Sequence, residues 1–307
     1  MASERSFTLS AGSKIPALGL GTWRSKPNQV KNAIKTAYKL GYRHFDCAAT
    51  YENEAEVGEA FTEAQITRNQ IWVTSKLWNT EHRAEDVLPA CERTLKDLQV
   101  EYLDLYLMHW PLAFKRKGQS FGNSERDANG HPILEKDVTP LDTWRAMEKL
   151  VELGKAKNIG VSNFSISQLK PLLEHATIRP AVLQIECHPY CPNNELLAFC
   201  KNHGIHVTAY SPLGSISEPR VREDPVVEQI AKETGRTPAQ VLIAWGLQRG
   251  TSVLAKSVTP SRIEENFDDK FTLSRQQMDR ISGITTRLRT CDCREEWGLS
   301  HDALFDN

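Results

Sequence analysis

Eight short apolar runs recur along this chain, and segments with helical periodicity separate them. Runs of this length and composition are typical of parallel strands that are covered on both faces. Strands alternating with helices favour a closed (β/α)8 TIM barrel, with a doubly wound open sheet as the alternative. The predicted strands are Leu18–Thr22, His44–Asp46, Ile71–Lys76, Leu103–Met108, Ala156–Ser162, Val182–Glu186, His206–Tyr210 and Thr251–Ala255.

The helical segments carry their own start and stop signals. Gly41 follows the first segment as its C-terminal cap. Thr237 and Pro238 open a later helix as N-cap and first helical residue, and Gly250 closes it. The periodicity predicts that one face of the first helix is buried, formed by Val30, Ala33, Ile34, Ala37 and Tyr38.

Three segments lie outside this alternation. Phe7–Leu9 and Ile15–Ala17 predict a small N-terminal β-hairpin. Leu112–Thr139 is rich in charged residues, Gly and Asn and predicts a long loop, a feature that is usually functional. The tail from Ser282 has no clear period. Because no linker, repeat or low-complexity segment divides the chain, we expect a single catalytic barrel domain over residues 1–307.

Composition excludes several classes of partner. With 38 basic and 39 acidic residues the net charge is -1, so we expect neither nucleic acid nor membrane as a partner. No apolar run approaches the roughly 20 residues that span a bilayer, and no signal peptide is recognised. Seven scattered cysteines predict reduced thiols and a cytoplasmic protein. Their spacing fits no zinc site, and we expect no metal.

Four polar residues fall at predicted carboxyl ends of strands, where the active site of a TIM barrel lies. Asp46 ends the second strand, Tyr51 follows in the next loop, Lys76 ends the third strand and His109 lies at the end of the fourth. One barrel mouth would therefore hold an acid, a phenol, an ammonium and an imidazole.

These four side chains suit the reduction of a carbonyl group. Hydride addition leaves an alkoxide that needs a proton, and a free tyrosine, with a pKa near 10, is a weak donor at neutral pH. An ammonium about 4 Å away favours the phenolate by up to roughly 4 kcal/mol at an effective dielectric of 20, and Lys76 can supply that charge. Asp46 would keep Lys76 charged and oriented, and His109 can donate a hydrogen bond to the carbonyl oxygen.

Each of the four also has a purely structural explanation. Asp46 could cap the helix that follows, Tyr51 could be a loop aromatic, and Lys76 could be a solvated strand end. His109 could be a core histidine with all its hydrogen bonds made. Four such residues together at strand ends favour the catalytic interpretation.

A cofactor signal follows the eighth predicted strand. Residues 256–266 read Lys-Ser-Val-Thr-Pro-Ser-Arg-Ile-Glu-Glu-Asn, and Thr259-Pro260 would open a helix. Lys256, Ser257 and the backbone N–H groups would bind a phosphate, and Arg262 adds a planar charged donor. A capped surface helix is the alternative.

Several motifs in this order resemble one known family over nearly the whole chain. They are Gly19–Trp23, Arg43–Asp46, Tyr51–Glu54, Ser75–Trp78, Met108–Pro111, Gly160–Phe164, Tyr210–Gly214 and Lys256–Asn266. The chain is thereby similar to the aldo-keto reductases, and most similar to their aldose-reductase-like branch. The resemblance implies a monomeric, NADPH-dependent oxidoreductase that reduces aldehydes, aldoses or ketones to alcohols.

The resemblance also implies a role for individual residues. Tyr51 would donate the proton, and Lys76 and Asp46 would adjust the acidity of its phenol. His109 would orient the substrate. Ser162, Asn163 and Gln184 would hold the nicotinamide carboxamide, and Tyr210 would stack on the ring. The other implied cofactor contacts are Gly21, Thr22, Trp23, Asp46, Ser211, Leu213, Ser215, Lys256, Ser257, Val258, Arg262, Glu265 and Asn266. The implied substrate contacts are Trp23, Tyr51, Trp78, His109 and Trp110.

The resemblance implies that the C-terminal tail lies over the barrel mouth. The chain departs from the family pattern after Gly214 and in this tail. Ser217 stands in a shortened loop where the family often has Asp, so closure over the cofactor is expected to be weaker or differently built. Arg287, Arg289 and Arg294 could favour a sugar acid or sugar phosphate, or lie exposed in a flexible tail.

Two other functions fit parts of the sequence. A barrel that binds NADPH as a sensor or structural protein would have no need of all four polar residues. A metal-dependent barrel hydrolase would need an HxH motif at a strand end, which this sequence lacks.

Overall fold

The computed structural model describes residues 5–118, 121–216, 218–300 and 303–306. None of the helices in these ranges is long and apolar enough to cross a membrane. The strands are β1 Ser6–Thr8, β2 Lys14–Pro16, β3 Leu18–Gly21, β4 His44–Asp46, β5 Trp72–Leu77, β6 Leu105–Met108, β7 Ile159–Ser162, β8 Val182–Glu186, β9 His206–Tyr210 and β10 Ser252–Ala255. The helices are α1 Gln29–Leu40, α2 Glu54–Glu63, α3 Ala84–Asp97, α4 Pro140–Glu152, α5 Ile166–His175, α6 Asn194–Asn202, α7 Pro225–Thr234, α8 Pro238–Gln248, α9 Pro260–Glu265 and α10 Arg275–Ser282.

Strands β3 to β10 form a closed barrel in sequence order, and β10 returns to pair with β3 in parallel. The predicted (β/α)8 class is confirmed, and the open sheet is wrong. β1 and β2 pair antiparallel, with Phe7 opposite Ile15, which confirms the hairpin. β6 and β7 begin later than predicted because Leu103 and Ala156, at the predicted starts, form only an isolated bridge with each other.

The helix signals act as predicted. Gly41 ends α1 at φ 112°, a left-handed conformation that glycine adopts without strain, and its N–H bonds the carbonyls of Ala37 and Tyr38. Thr237 caps α8 by accepting a hydrogen bond from the Gln240 N–H. The face predicted for α1 is buried except for Tyr38, which lies half-buried.

The chain divides into two compact units. The first unit comprises residues 5–46 and 184–291 of the described chain and carries β3, β4, β9 and β10. The second unit comprises residues 47–183 and 292–306 and carries β5, β6 and β7. The single domain expected from the sequence remains a prediction.

The long loop in the second unit has more structure than the sequence predicts. Between Leu112 and Thr139, antiparallel bridges join Phe114 to Leu134 and Arg126 to Pro132, so the segment folds back on itself. Helix α4 then begins at Pro140, because Thr139 forms a capping box with Asp142.

A buried carboxyl group opens α2. Glu54 is 4% exposed and accepts hydrogen bonds from Ser75 Oγ at 2.5 Å and Thr94 Oγ1 at 3.0 Å. Burial raises the pKa of Glu54 from 4.5 to about 7, although both hydroxyl groups act in the opposite direction. The native state therefore holds this proton more tightly than the unfolded chain does.

We expect Glu54→Gln to remove a pH dependence of stability. Because the folded pKa is raised, the stability that Glu54 contributes is present below about pH 4.5 and is lost as the pH rises through about 7. The free energy of unfolding of the wild type should therefore fall between pH 5 and 8 by up to about 3 kcal/mol more than that of the variant. Urea unfolding at the two pH values measures the difference. Glu59→Gln, at an exposed position of α2, should retain the wild-type dependence.

Candidate active site

Lys76 lies at the end of β5 in the second unit and is buried, with 1% of its surface exposed. Its ammonium donates hydrogen bonds to the Cys47 carbonyl at 2.7 Å and to the Tyr51 hydroxyl oxygen at 3.2 Å. Tyr51 ends the short 3-10 turn Ala49–Tyr51 and is half-buried. A solvated strand end is therefore the wrong interpretation of Lys76, and its charge acts directly on the Tyr51 oxygen.

His109 follows β6 and is 8% exposed. Burial holds the pKa of His109 well below 6.5, and the charges of Lys76 and His82 act in the same direction. The imidazole is therefore neutral at physiological pH and carries one N–H. Its Nδ1 has no hydrogen-bond partner within the described part of the chain, so a core histidine with all its bonds made is wrong. The rings of His109 and Tyr51 lie 6.0 Å apart.

Two amide and hydroxyl side chains end the neighbouring strand β7. Asn163 adopts φ +63°, a left-handed conformation that asparagine tolerates better than most residues. This turn lets its side-chain NH2 donate to the His109 carbonyl at 3.0 Å and to Ser162 Oγ at 3.2 Å. Both residues are buried. The turn thus fixes the backbone of His109 and brings the hydroxyl and amide groups of Ser162 and Asn163 beside it.

An aromatic cluster lies beside this group of residues, also within the second unit. Trp78 packs edge to face on His109, with ring centroids 5.3 Å apart, and on Trp297 at 6.3 Å. Trp297 also contacts Trp110 at 4.9 Å and Phe114 at 5.0 Å. Trp78 and Trp110 were predicted, whereas Trp297 and Phe114 were not. Trp297 is the one tryptophan in the tail sequence, and this was the available signal for it.

Asp46 ends β4 in the first unit and is 3% exposed. Gln184 Nε2 donates to its carboxylate at 2.8 Å, and the Thr22 hydroxyl donates to its backbone carbonyl at 2.9 Å. The N-cap of α2 is Asn53, so the structure does not support Asp46 as a helix cap. Asp46, Gln184 and Thr22, all predicted from the sequence, therefore form one buried network.

The loop after β9 carries several of the cofactor contacts that the resemblance implies. Tyr210 ends the strand, and Gly214 adopts φ +78°. A Cβ on Gly214 would lie 2.4 Å from Cγ2 of Val221, so no side chain fits there. Ser211, Leu213 and Ser215 are half-buried in this loop, and Ser217 lies outside the described residues.

The segment after β10 confirms Thr259 as N-cap and Pro260 as first residue of α9. Partial burial lowers the pKa of Lys256, whose ammonium donates a hydrogen bond to the Arg24 backbone carbonyl at 3.4 Å. Arg262 is exposed. Within the described residues no carboxylate pairs with Lys256 or Arg262, so two positive charges near Ser257 are left without an acidic partner.

The remaining cofactor and substrate contacts predicted in the first unit differ in exposure and in their interactions. Trp23 is 38% exposed and has the Arg24 guanidinium 4.2 Å above its ring. Glu265 accepts a hydrogen bond from Thr237 Oγ1 at 2.7 Å, and Asn266 is buried. Gly21 is the last residue of β3, and Val258 lies in the connection between β10 and α9.

Comparison with known proteins identifies the family. The family model "Aldo/keto reductase family" matches residues 17–286. The chain is 49% identical to aldo-keto reductase family 1 member A1 of Sus scrofa over 297 residues, which are 92% of this chain and 89% of that protein. It is 48% identical to the Homo sapiens protein of the same name, with 92% and 89% covered. The chain belongs to the aldo/keto reductase family.

Solved structures agree with this assignment. The aldose reductase from Schistosoma japonicum superimposes on this reductase with a TM-score of 0.89 and 45% identity, and 96% of each chain is covered. The aldose reductase from Giardia lamblia gives a TM-score of 0.87 at 45% identity, with 92% of this chain and 97% of that chain covered. The predicted family, its aldose-reductase-like branch and an oxidoreductase activity on carbonyl groups are thereby confirmed.

We expect His109 of this reductase to stay neutral over the physiological range, because burial and the nearby Lys76 charge oppose its protonation. The imidazole resonances of 15N-labelled protein should show no titration of His109 between pH 5.5 and 8.5. A His109→Gln sample identifies the resonances. A midpoint within this range would contradict the neutral assignment.

Proposed function

We propose that this reductase converts aldehydes, aldoses or ketones to alcohols with NADPH, and that Tyr51 donates the proton. The observation that carries this proposal is the buried ammonium of Lys76, 3.2 Å from the Tyr51 oxygen. A positive charge at this distance favours the phenolate and makes the phenol a stronger acid.

NADPH, when bound, supplies the hydride to the carbonyl carbon. The Tyr51 hydroxyl then transfers its proton to the new alkoxide oxygen, and Lys76 stabilises the phenolate that remains. Asp46 is the proposed carboxylate partner that keeps Lys76 protonated, and Gln184 holds Asp46. His109 donates its one N–H to the carbonyl oxygen and orients the substrate.

The chemistry of the donor groups supports NADPH. Lys256 and Arg262, with no carboxylate partner among the described residues, would neutralise a 2′-phosphate with the help of Ser257. Ser162, Asn163 and Gln184 offer the hydroxyl and amide groups that bind a carboxamide. The other proposed contacts are Gly21, Thr22, Trp23, Asp46, Tyr210, Ser211, Leu213, Ser215, Val258, Glu265 and Asn266.

The indole rings of the aromatic cluster support substrates with an apolar or ring-shaped face. Arg294 forms an ion pair with Asp292 at 2.5 Å, which argues against this arginine as a binding group for a sugar acid. We therefore propose aldehydes with such a face as the main substrates, at a site formed by Trp23, Tyr51, Trp78, His109 and Trp110. A monomeric, cytoplasmic, single-domain enzyme without a metal is part of the same proposal.

Tyr51→Phe should lower kcat/KM for carbonyl reduction by roughly 10²- to 10⁴-fold, because the proton donor is lost. Steady-state assays with NADPH and a reactive aldehyde measure the change, and circular dichroism checks the fold. Tyr102→Phe, in the second unit but outside the proposed site, should retain wild-type turnover. Wild-type turnover by Tyr51→Phe would refute the assigned role, and a wild type that binds NADPH tightly without turnover would favour the sensor alternative.

Lys256→Met and Arg262→Met should each raise the KM for NADPH by roughly tenfold or more. This factor corresponds to the free energy of one charge-assisted hydrogen bond. The KM for NADH, which lacks the 2′-phosphate, should change much less. Lys270→Met removes a nearby exposed charge and serves as the control. Equal catalytic efficiency of the wild type with both cofactors would remove this part of the proposal.

A further inference from the structure

The start of α5 is capped by a residue far away in sequence. Asp306 Oδ2 accepts hydrogen bonds from the backbone N–H groups of Ile166, at 2.6 Å, and Ser167, at 3.2 Å. Its Oδ1 accepts a third from Ser167 Oγ at 2.6 Å. N–H groups in the first helical turn have no partner within the helix, and a negative charge is favoured there. Asp306 therefore satisfies donors that the helix cannot satisfy itself.

The same contact fastens the C-terminal tail. Gln168 Nε2 donates to the Ala303 carbonyl at 3.3 Å, which adds a second link between α5 and the tail. Between these two links lies Leu304, which is fully buried. It packs in a cluster with Trp110, Phe114 and Trp297, and Phe305 packs against the same cluster.

The tail fits closely against the long loop as well. Gly298 adopts φ +64°, and a Cβ there would lie 2.3 Å from Nδ1 of His131. The residue before it, Trp297, contacts both Trp110 and Trp78. Displacement of the tail would therefore move a ring that packs on the walls of the proposed substrate site.

We propose that Asp306 is a positioning residue for substrate specificity: by capping α5 it holds the tail and thereby the Trp297 wall beside His109. It touches neither substrate nor cofactor, so its removal affects binding of large substrates more than the chemical step. This inference rests on the proposed function for its kinetic readout, but the attachment of the tail can be measured independently.

The test compares Asp306→Asn and Asp306→Ala with Glu174→Gln, which removes an exposed carboxylate from the other end of α5. The KM for a bulky aromatic aldehyde, 4-nitrobenzaldehyde, should rise roughly fivefold in the Asp306 variants. This factor corresponds to the free energy that one helix cap contributes. Their kcat, and the KM for the small substrate propanal, should change less than twofold. Glu174→Gln should match the wild type.

Hydrogen exchange supplies a readout that does not depend on turnover. Amides of residues 293–300 and of Ile166 and Ser167 should exchange faster in Asp306→Asn than in the wild type. Should that variant fail to fold, Ser167→Ala, which removes one donor and leaves the carboxylate, should show a smaller change in the same direction. Unchanged exchange and an unchanged KM for both aldehydes would overturn the proposal. A wild type without carbonyl turnover would refute the proposed function, while the exchange data would still decide how the tail is held.

Discussion

The burial of one ammonium group is the constraint on which the proposed chemistry depends. Placing a charge in a protein interior costs several kcal/mol unless partners compensate it. The Cys47 carbonyl at 2.7 Å and the Tyr51 oxygen at 3.2 Å are two such partners of Lys76. Because the interior screens the charge less than water does, the same burial increases its effect on Tyr51 and on the neutral His109. The burial of Lys76 thus carries both the free-energy cost and the proposed catalytic effect.

Most of the barrel could be predicted because its signals are local. A run such as His206–Tyr210 is apolar and short, and Gly41 and Thr237 mark helix ends by their own conformational and hydrogen-bonding preferences. The errors fall where pairing decides the strand start, as at Ala156, which makes only an isolated bridge. Which residue first pairs along a strand depends on its neighbour strand, and periodicity in one segment does not contain that information.

The candidate site likewise contains residues that could be predicted from the sequence and residues that could not. Lys76, Tyr51 and His109 could be found because the ends of barrel strands meet at one mouth, so position along the chain implies position in space. Phe114 and Trp297 could not, because the long loop and the tail have no period that fixes where their side chains point. The antiparallel bridges of the loop and the cap on α5 are contacts between distant segments. Such contacts leave no pattern within either segment.

This division indicates how one barrel separates its chemistry from its choice of substrate. The proposed reacting groups stand at strand ends or in the turns just after them, where pairing of β5 with β6 and of β6 with β7 fixes the backbone on both sides of His109. The aromatic cluster lies partly on the tail, which contributes Trp297. The tail is held by a few side-chain hydrogen bonds and by the burial of Leu304. A change in the tail can therefore reshape the cluster at the cost of a few contacts, whereas a shift of Lys76 would leave a buried charge without its partners. Under the proposed function, a change in the tail is accordingly expected to alter the substrate range more than the chemical step.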